Sequence, residues 1–149
     1  MIQAGPEYRK LARTQLVLAD DHRLTRVTFR YLLSLEADLE VVAEATDGVE
    51  ALHLALEKRP QVLLLDLVMP SLNGLEVAQA VRRQLPETKI AVVTIYIEAP
   101  YVDQALRSGA NAFIDTSRVV DDLVPGIRTM LAGGRFLSVS AQPSRPLQH

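Results

Sequence analysis

Three short runs of residues leave this chain little choice of architecture. Residues 16–19 (LVLA), 62–65 (VLLL) and 90–93 (IAVV) are apolar at every position. Each ends abruptly in polar residues: Asp20-Asp21, Asp66 and Thr94. A strand with one wet face alternates apolar and polar residues, whereas a wholly apolar run must be covered on both faces, as in a parallel sheet flanked by helices. Segments of helical periodicity separate the runs, which is how parallel strands are joined. In open sheets of this kind ligands bind beyond the carboxyl ends of the strands, where the strand order reverses. Three carboxylates and a hydroxyl at those ends read as a site and not as a solvated face.

Strand and helix patterns alternate five times. Strands are expected at 15–19, 39–45, 61–65, 89–93 and 111–114. Helices are expected at 22–35, 48–58, 75–85, 100–108 and 119–131, with Gly109 and Gly133-Gly134 closing the last two. The apolar residues Leu24, Val27, Tyr31, Leu32 and Leu35 give the first helix its spacing. Pro125-Gly126 conflicts with the last pattern and predicts a helix that begins late, near Asp122, or bends there. Right-handed crossovers predict a doubly wound five-stranded parallel sheet with helices on both faces. The flavodoxin-like order 2-1-3-4-5 fits this length. That order sets strand three beside strands one and four, so Asp20, Asp21, Asp66 and Thr94 converge on one crevice. Residues 1–14 form a polar lead with Arg9, Lys10 and Arg13, and residues 135–149, with two prolines, read as a linker or tail.

The chain has 149 residues, the size of one domain, and can bury about 70% of its unfolded surface. A net charge of −2 argues against binding nucleic acid through bulk charge. Without cysteine there are no disulfides and no thiolate metal sites. No apolar stretch is long enough to span a bilayer and residues 1–14 contain no apolar signal core, so the cytoplasm is the expected location.

Asp20-Asp21, then Asp66-x-x-Met69-Pro70-x-x-x-Gly74, then Thr94, then Gly109-Ala110, resembles the receiver domain of bacterial two-component response regulators over residues 15–134. The string Ala19-Asp20-Asp21-His22 and the run from Ala132 to Ser138 are similar to the LuxR/NarL-type subfamily, whose receivers precede a helix-turn-helix domain. The resemblance implies a signalling module and not an enzyme. Asp66 would be its phosphoacceptor, and Asp20, Asp21, Asp66 and the backbone carbonyl of Val68 would hold Mg²⁺. Thr94 and Phe113 would carry the switch. The implied partners are a sensor histidine kinase and a second copy of the chain in a homodimer. DNA would be reached, for control of transcription, only through a domain beyond residues 135–149, and no membrane is involved.

These roles suit the residues. A carboxylate can act as a nucleophile. Mg²⁺ favours a few carboxylates together with phosphate oxygens and water. Three neighbouring carboxylates without a cation repel one another. The plainer alternative, that Asp20 or Asp21 merely caps a helix, leaves Asp66 unexplained. A flavin-binding relative is disfavoured because Asp20-Asp21 would repel a phosphate in that loop. His22 reads as a surface or capping residue, His53 lies beside its helix's apolar stripe, and His149 is terminal.

One departure matters. The family has a lysine three residues after the strand-five aromatic; here that position is Thr116, and no lysine follows Lys89. Three carboxylates with a divalent cation carry about one negative unit, and a phosphoryl group raises this to about two. Thr116 can donate a hydrogen bond but brings no charge. Arg23 or Arg118 is the available substitute, though a guanidinium fork is not an ammonium. Two functions follow: a phosphorylatable receiver, or a pseudo-receiver that dimerises or docks without phosphorylation.

Overall fold

The computed structural model describes residues 13–145. The apolar runs become β1 (Thr14–Ala19), β2 (Leu39–Ala45), β3 (Val62–Leu65), β4 (Lys89–Thr94) and β5 (Ala112–Asp115). The intervening segments become α1 (Arg23–Ser34), α2 (Gly48–Lys58), α3 (Gly74–Gln84), α4 (Ala99–Arg107) and α5 (Val119–Leu131). All strand pairs are parallel and the order is β2-β1-β3-β4-β5-β6. The doubly wound 2-1-3-4-5 arrangement is therefore present, with one addition. Phe136–Leu137 forms a sixth strand, β6, paired with β5. Two residues are too few for a periodic signal, so this strand was not legible in the sequence. Of the polar lead, only Arg13 and Thr14 fall within the described residues, and His149 lies outside them.

The unbroken apolar strands divide their side chains between two cores. Val17, Leu63, Leu65, Val92 and Phe113 face α2, α3 and α4, where Ala51, Val77 and Val102 complete the packing. Leu16, Leu18, Leu64, Val93 and Ile114 face α1 and α5 and meet Phe29, Leu33, Leu123 and Ile127. Alternate residues of one strand thus serve opposite layers, because successive side chains leave a strand on opposite faces. Each fully buried large apolar side chain contributes roughly 1.5–3 kcal/mol.

Local signals set the helix ends. The Asp47 side chain accepts the Glu50 amide at the start of α2, and Asn73 with Glu76 forms a reciprocal capping box at α3. Gly109 and Gly133 adopt positive φ after α4 and α5. The Pro125-Gly126 conflict resolves without a late start. A 3₁₀ turn over Thr116–Arg118 feeds directly into α5, which begins at Val119 and continues through Pro125. Gly126 then brings α5 close to the sheet: a Cβ there would meet Ile114 Cδ1 at 3.1 Å and Phe136 Cδ1 at 3.2 Å.

Gly74 is tighter still. A Cβ there would lie 2.1 Å from the Asp66 carbonyl oxygen, and the Gly74 amide donates to the Leu67 carbonyl at 2.8 Å. The loop after β3 closes over α3 only because position 74 has no side chain. Gly74→Ala is expected to lower stability by roughly 2–3 kcal/mol although alanine favours helix. Chemical denaturation of the two proteins measures this.

Candidate functional site

The carboxyl ends of β1 and β3 lie side by side. The Asp66 amide donates to the Ala19 carbonyl at 3.0 Å and the Asp20 amide to the Ala45 carbonyl at 3.1 Å. Asp20, Asp21 and Asp66 are thereby drawn together, and one ligand atom from each of them and from His22 lies within 4.8 Å of all the others. They line a cleft of about 320 Å³ whose other walls include Val68, Ile95, Tyr96 and Thr116. Asp20 is 4% exposed, while Asp21 reaches solvent.

His22 was legible as a surface or capping residue, and it is exposed at the N-cap position of α1, with no capping bond from its own side chain. Its amide donates to Asp20 Oδ1 at 2.8 Å, and its ring Nδ1 lies 3.1 Å from Asp20 Oδ1 and 3.1 Å from Asp21 Oδ1. The hydrogen bond to Asp20, then the charge of Asp21, holds this imidazole above its usual pKa. Among the described residues His22 is the one basic side chain that lines the acidic cleft. Its adjacency to Asp20-Asp21 was the signal that could have revealed it.

Arg26 supports the cluster from behind. Its guanidinium donates to the Asp20 carbonyl at 2.8 Å and to Glu44 at 3.2 Å, while Arg30 also pairs with Glu44. Asp66 carries the main electrostatic strain. Burial first, and then the charge of Asp20, push its carboxyl up to about 6, against the opposing backbone N–H groups of Val68 and Leu67.

The expected switch residues are placed unevenly. Thr116 opens the 3₁₀ turn and lines the cleft. Thr94 is 1% exposed, and its Oγ1 accepts the Tyr96 amide at 3.2 Å. Its hydroxyl is thus turned onto its own loop, and Ile95 and Tyr96 form the cleft wall above β4. Phe113 is fully buried in the core facing α2, α3 and α4. Arg118 pairs with Asp122 at 3.0 Å, and neither it nor Arg23 lines the cleft. The position of the missing lysine is therefore filled by no other cation among the described residues.

Residues 16–126 match the family described as the response regulator receiver domain. Oxygen regulatory protein NreC of Staphylococcus epidermidis is 37% identical over 131 residues, covering 87% of this chain and 60% of that protein. The chain thus spans about 60% of the length of the curated relatives it matches. A LuxR-family two-component response regulator from Aurantimonas sp. SI85-9A1 superposes with a TM-score of 0.83 at 29% identity, covering 87% of this chain and 92% of that one. The signal receiver domain of the response regulator NarL from Mycobacterium tuberculosis gives a TM-score of 0.72 at 35% identity, covering 83% and 98%.

The raised Asp66 pKa has a stability consequence. A carboxyl with a folded pKa above its unfolded value costs stability once it ionises; the cost grows from pH 4 to about 6 and is constant above. In metal-free buffer Asp66→Asn is expected to raise stability by on the order of 2 kcal/mol at pH 7.5 and by little near pH 4. Thermal melts of both proteins across that range measure the difference.

Proposed function

The chain belongs to the response regulator receiver domain family, in its LuxR/NarL-type branch, and from that premise we propose that Asp66 accepts a phosphoryl group from a sensor histidine kinase. The observation that carries this reading is the convergence of three carboxylates on one cleft at the ends of β1 and β3. Burial, and then this crowding, raise the proton affinity of Asp66, and this is the donor set that suits a hard divalent cation. Asp20, Asp21, Asp66 and the Val68 carbonyl would hold Mg²⁺. When bound, the ion would supply charge neutralisation for these carboxylates and for a phosphoryl group beside them.

The chain's own residues do the rest. Above pH 6 Asp66 is ionised, and its high proton affinity for a carboxylate favours attack on phosphorus. One Asp66 oxygen bonds to phosphorus as the P–N bond to the donor histidine breaks, and the electron pair returns to the imidazole nitrogen. Thr116 stands at the cleft wall as a hydrogen-bond donor where the family has a cation. His22 would leave the carboxylate oxygens of Asp20 and Asp21, which no other cation contacts among the described residues. The output is control of transcription through a DNA-binding domain outside this chain, in the cytoplasm.

A second reading has its own observation. Thr116 brings no charge to the cleft, and the Thr94 hydroxyl is engaged by Tyr96. On that reading the domain is a pseudo-receiver that dimerises or docks without phosphorylation.

Asp21→Ala is expected to weaken Mg²⁺ binding by about tenfold or more while the fold, read by circular dichroism, is retained. Equal affinity in the variant would remove Asp21 from the site. With Mg²⁺ and acetyl phosphate, intact-mass analysis is expected to show one phosphoryl addition, lost in Asp66→Asn and made more durable by Thr116→Lys. No addition at saturating donor favours the pseudo-receiver, and labelling of another residue rejects Asp66.

A further inference from the structure

The segment after α5 crosses three elements within nine residues. As β6, Phe136 and Leu137 pair with Ala112 and Phe113, covering the edge of β5 that a five-stranded sheet would leave unpaired. Ser138 is 1% exposed; its hydroxyl donates to Asp122 of α5 at 2.7 Å and accepts the Asp115 amide at 3.0 Å. The Ser140 hydroxyl donates to Asp115 Oδ2 at 2.6 Å. Ala141 is buried, and Ser144 gives Asp103 of α4 both its hydroxyl and its amide, the latter at 2.9 Å. Three serines of the segment thus hold a carboxylate apiece on α5, β5 and α4.

Asp115 stands at a junction. It is the register partner of Thr94, and the next residue, Thr116, lines the acidic cleft. Its Oδ1 accepts both the amide and the hydroxyl of Ser117 at 2.9 Å, so the same side chain that Ser140 holds also anchors the turn carrying Thr116. With the segment docked, the Thr94 hydroxyl is turned away onto the Tyr96 amide.

We propose that residues 136–144 are a strap whose docking holds the end of β5 and the Thr94 loop in this arrangement, and whose release frees both. Coupling of this kind is reciprocal. Whatever draws Thr94 and Thr116 toward the cleft loosens the strap, and loosening the strap eases that movement. The coupling stands on the hydrogen bonds alone. Its consequence, that phosphorylation of Asp66 reaches a following domain as strap release, rests on the phosphoacceptor reading.

Amide exchange read by NMR on the unliganded 149-residue chain tests the coupling. The double variant Ser140→Asp, Ser144→Asp sets new carboxylates against Asp115 and Asp103 at two exposed positions, and Ser140→Thr, Ser144→Thr keeps both hydroxyls. In the aspartate variant the amides of Ser138, Ala141 and Ser144 are expected to exchange about tenfold faster or more, and that of Tyr96 about threefold faster, with the threonine variant near the parent. Unmoved strap amides overturn the strap, and a loosened strap with an unmoved Tyr96 amide overturns the coupling. Titration with Mg²⁺ and beryllofluoride, with Asp66→Asn as the blank, then reads the consequence: the aspartate variant is expected to show a midpoint about threefold lower. If the parent and Asp66→Asn respond alike, the phosphoacceptor reading fails while the exchange rates still decide the strap. If the parent binds and the midpoint does not shift, the coupling does not reach the cleft and the proposal is overturned.

Discussion

The acidic cluster of this protein depends on β1 and β3 being hydrogen-bonded neighbours. Their pairing runs from Leu16 and Val62 to Ala19 and Leu65, so both strands end at the same level. The next residues are Asp20 and Asp66. Sequence separates them by most of a β-α-β-α unit, yet the register leaves them no other place. The strands tolerate such crowding because they are anchored on both faces by apolar packing, while the charged groups lie just beyond the last buried residue.

The cluster is a local cost accepted by a well-packed frame. Burial, and then Asp20, push the Asp66 pKa up to about 6, so its charge near neutrality is held at a cost. His22 relieves some of this charge without neutralising it. Strain of this kind gathers where chemistry is done, and the surrounding structure holds it in place. Arg26 and Glu44 brace the Asp20 loop, and Gly74 allows the Asp66 loop to fold down onto α3. Support for the cluster is therefore distributed over β1, α1, β2, β3 and the start of α3.

On the other side of the sheet centre, β4 and β5 carry the residues that we propose respond to a change at Asp66. Thr94 and Asp115 face each other in register. The chain beyond α5 then lies against the exposed edge of β5 and engages α4, β5 and α5 through serine hydroxyls. An edge strand that would otherwise present free backbone groups is covered by a segment of only two paired residues and a few hydrogen bonds. A cover of that size suits a removable contact better than a permanent part of the core.

Much of this was legible in the residues. Unbroken apolar runs require burial on both faces, helical spacing between them requires crossovers, and strand-end carboxylates mark the site; these are short-range patterns with strong physical causes. The run from Asp66 to Gly74 carried the loop, since only glycine fits there. Three things were decided by the tertiary structure. His22 joined the site because the loop after β1 turns its ring onto Asp20 and Asp21. Thr94 turned its hydroxyl to Tyr96, a choice between rotamers that no spacing encodes. Phe136 and Leu137 became a strand because the β5 edge was open and Gly126 let α5 sit close enough to bring them there. Periodicity records what must be buried; which polar groups then meet is set by distances across the fold, where each hydrogen bond is chosen from whatever partners the packing has brought within reach.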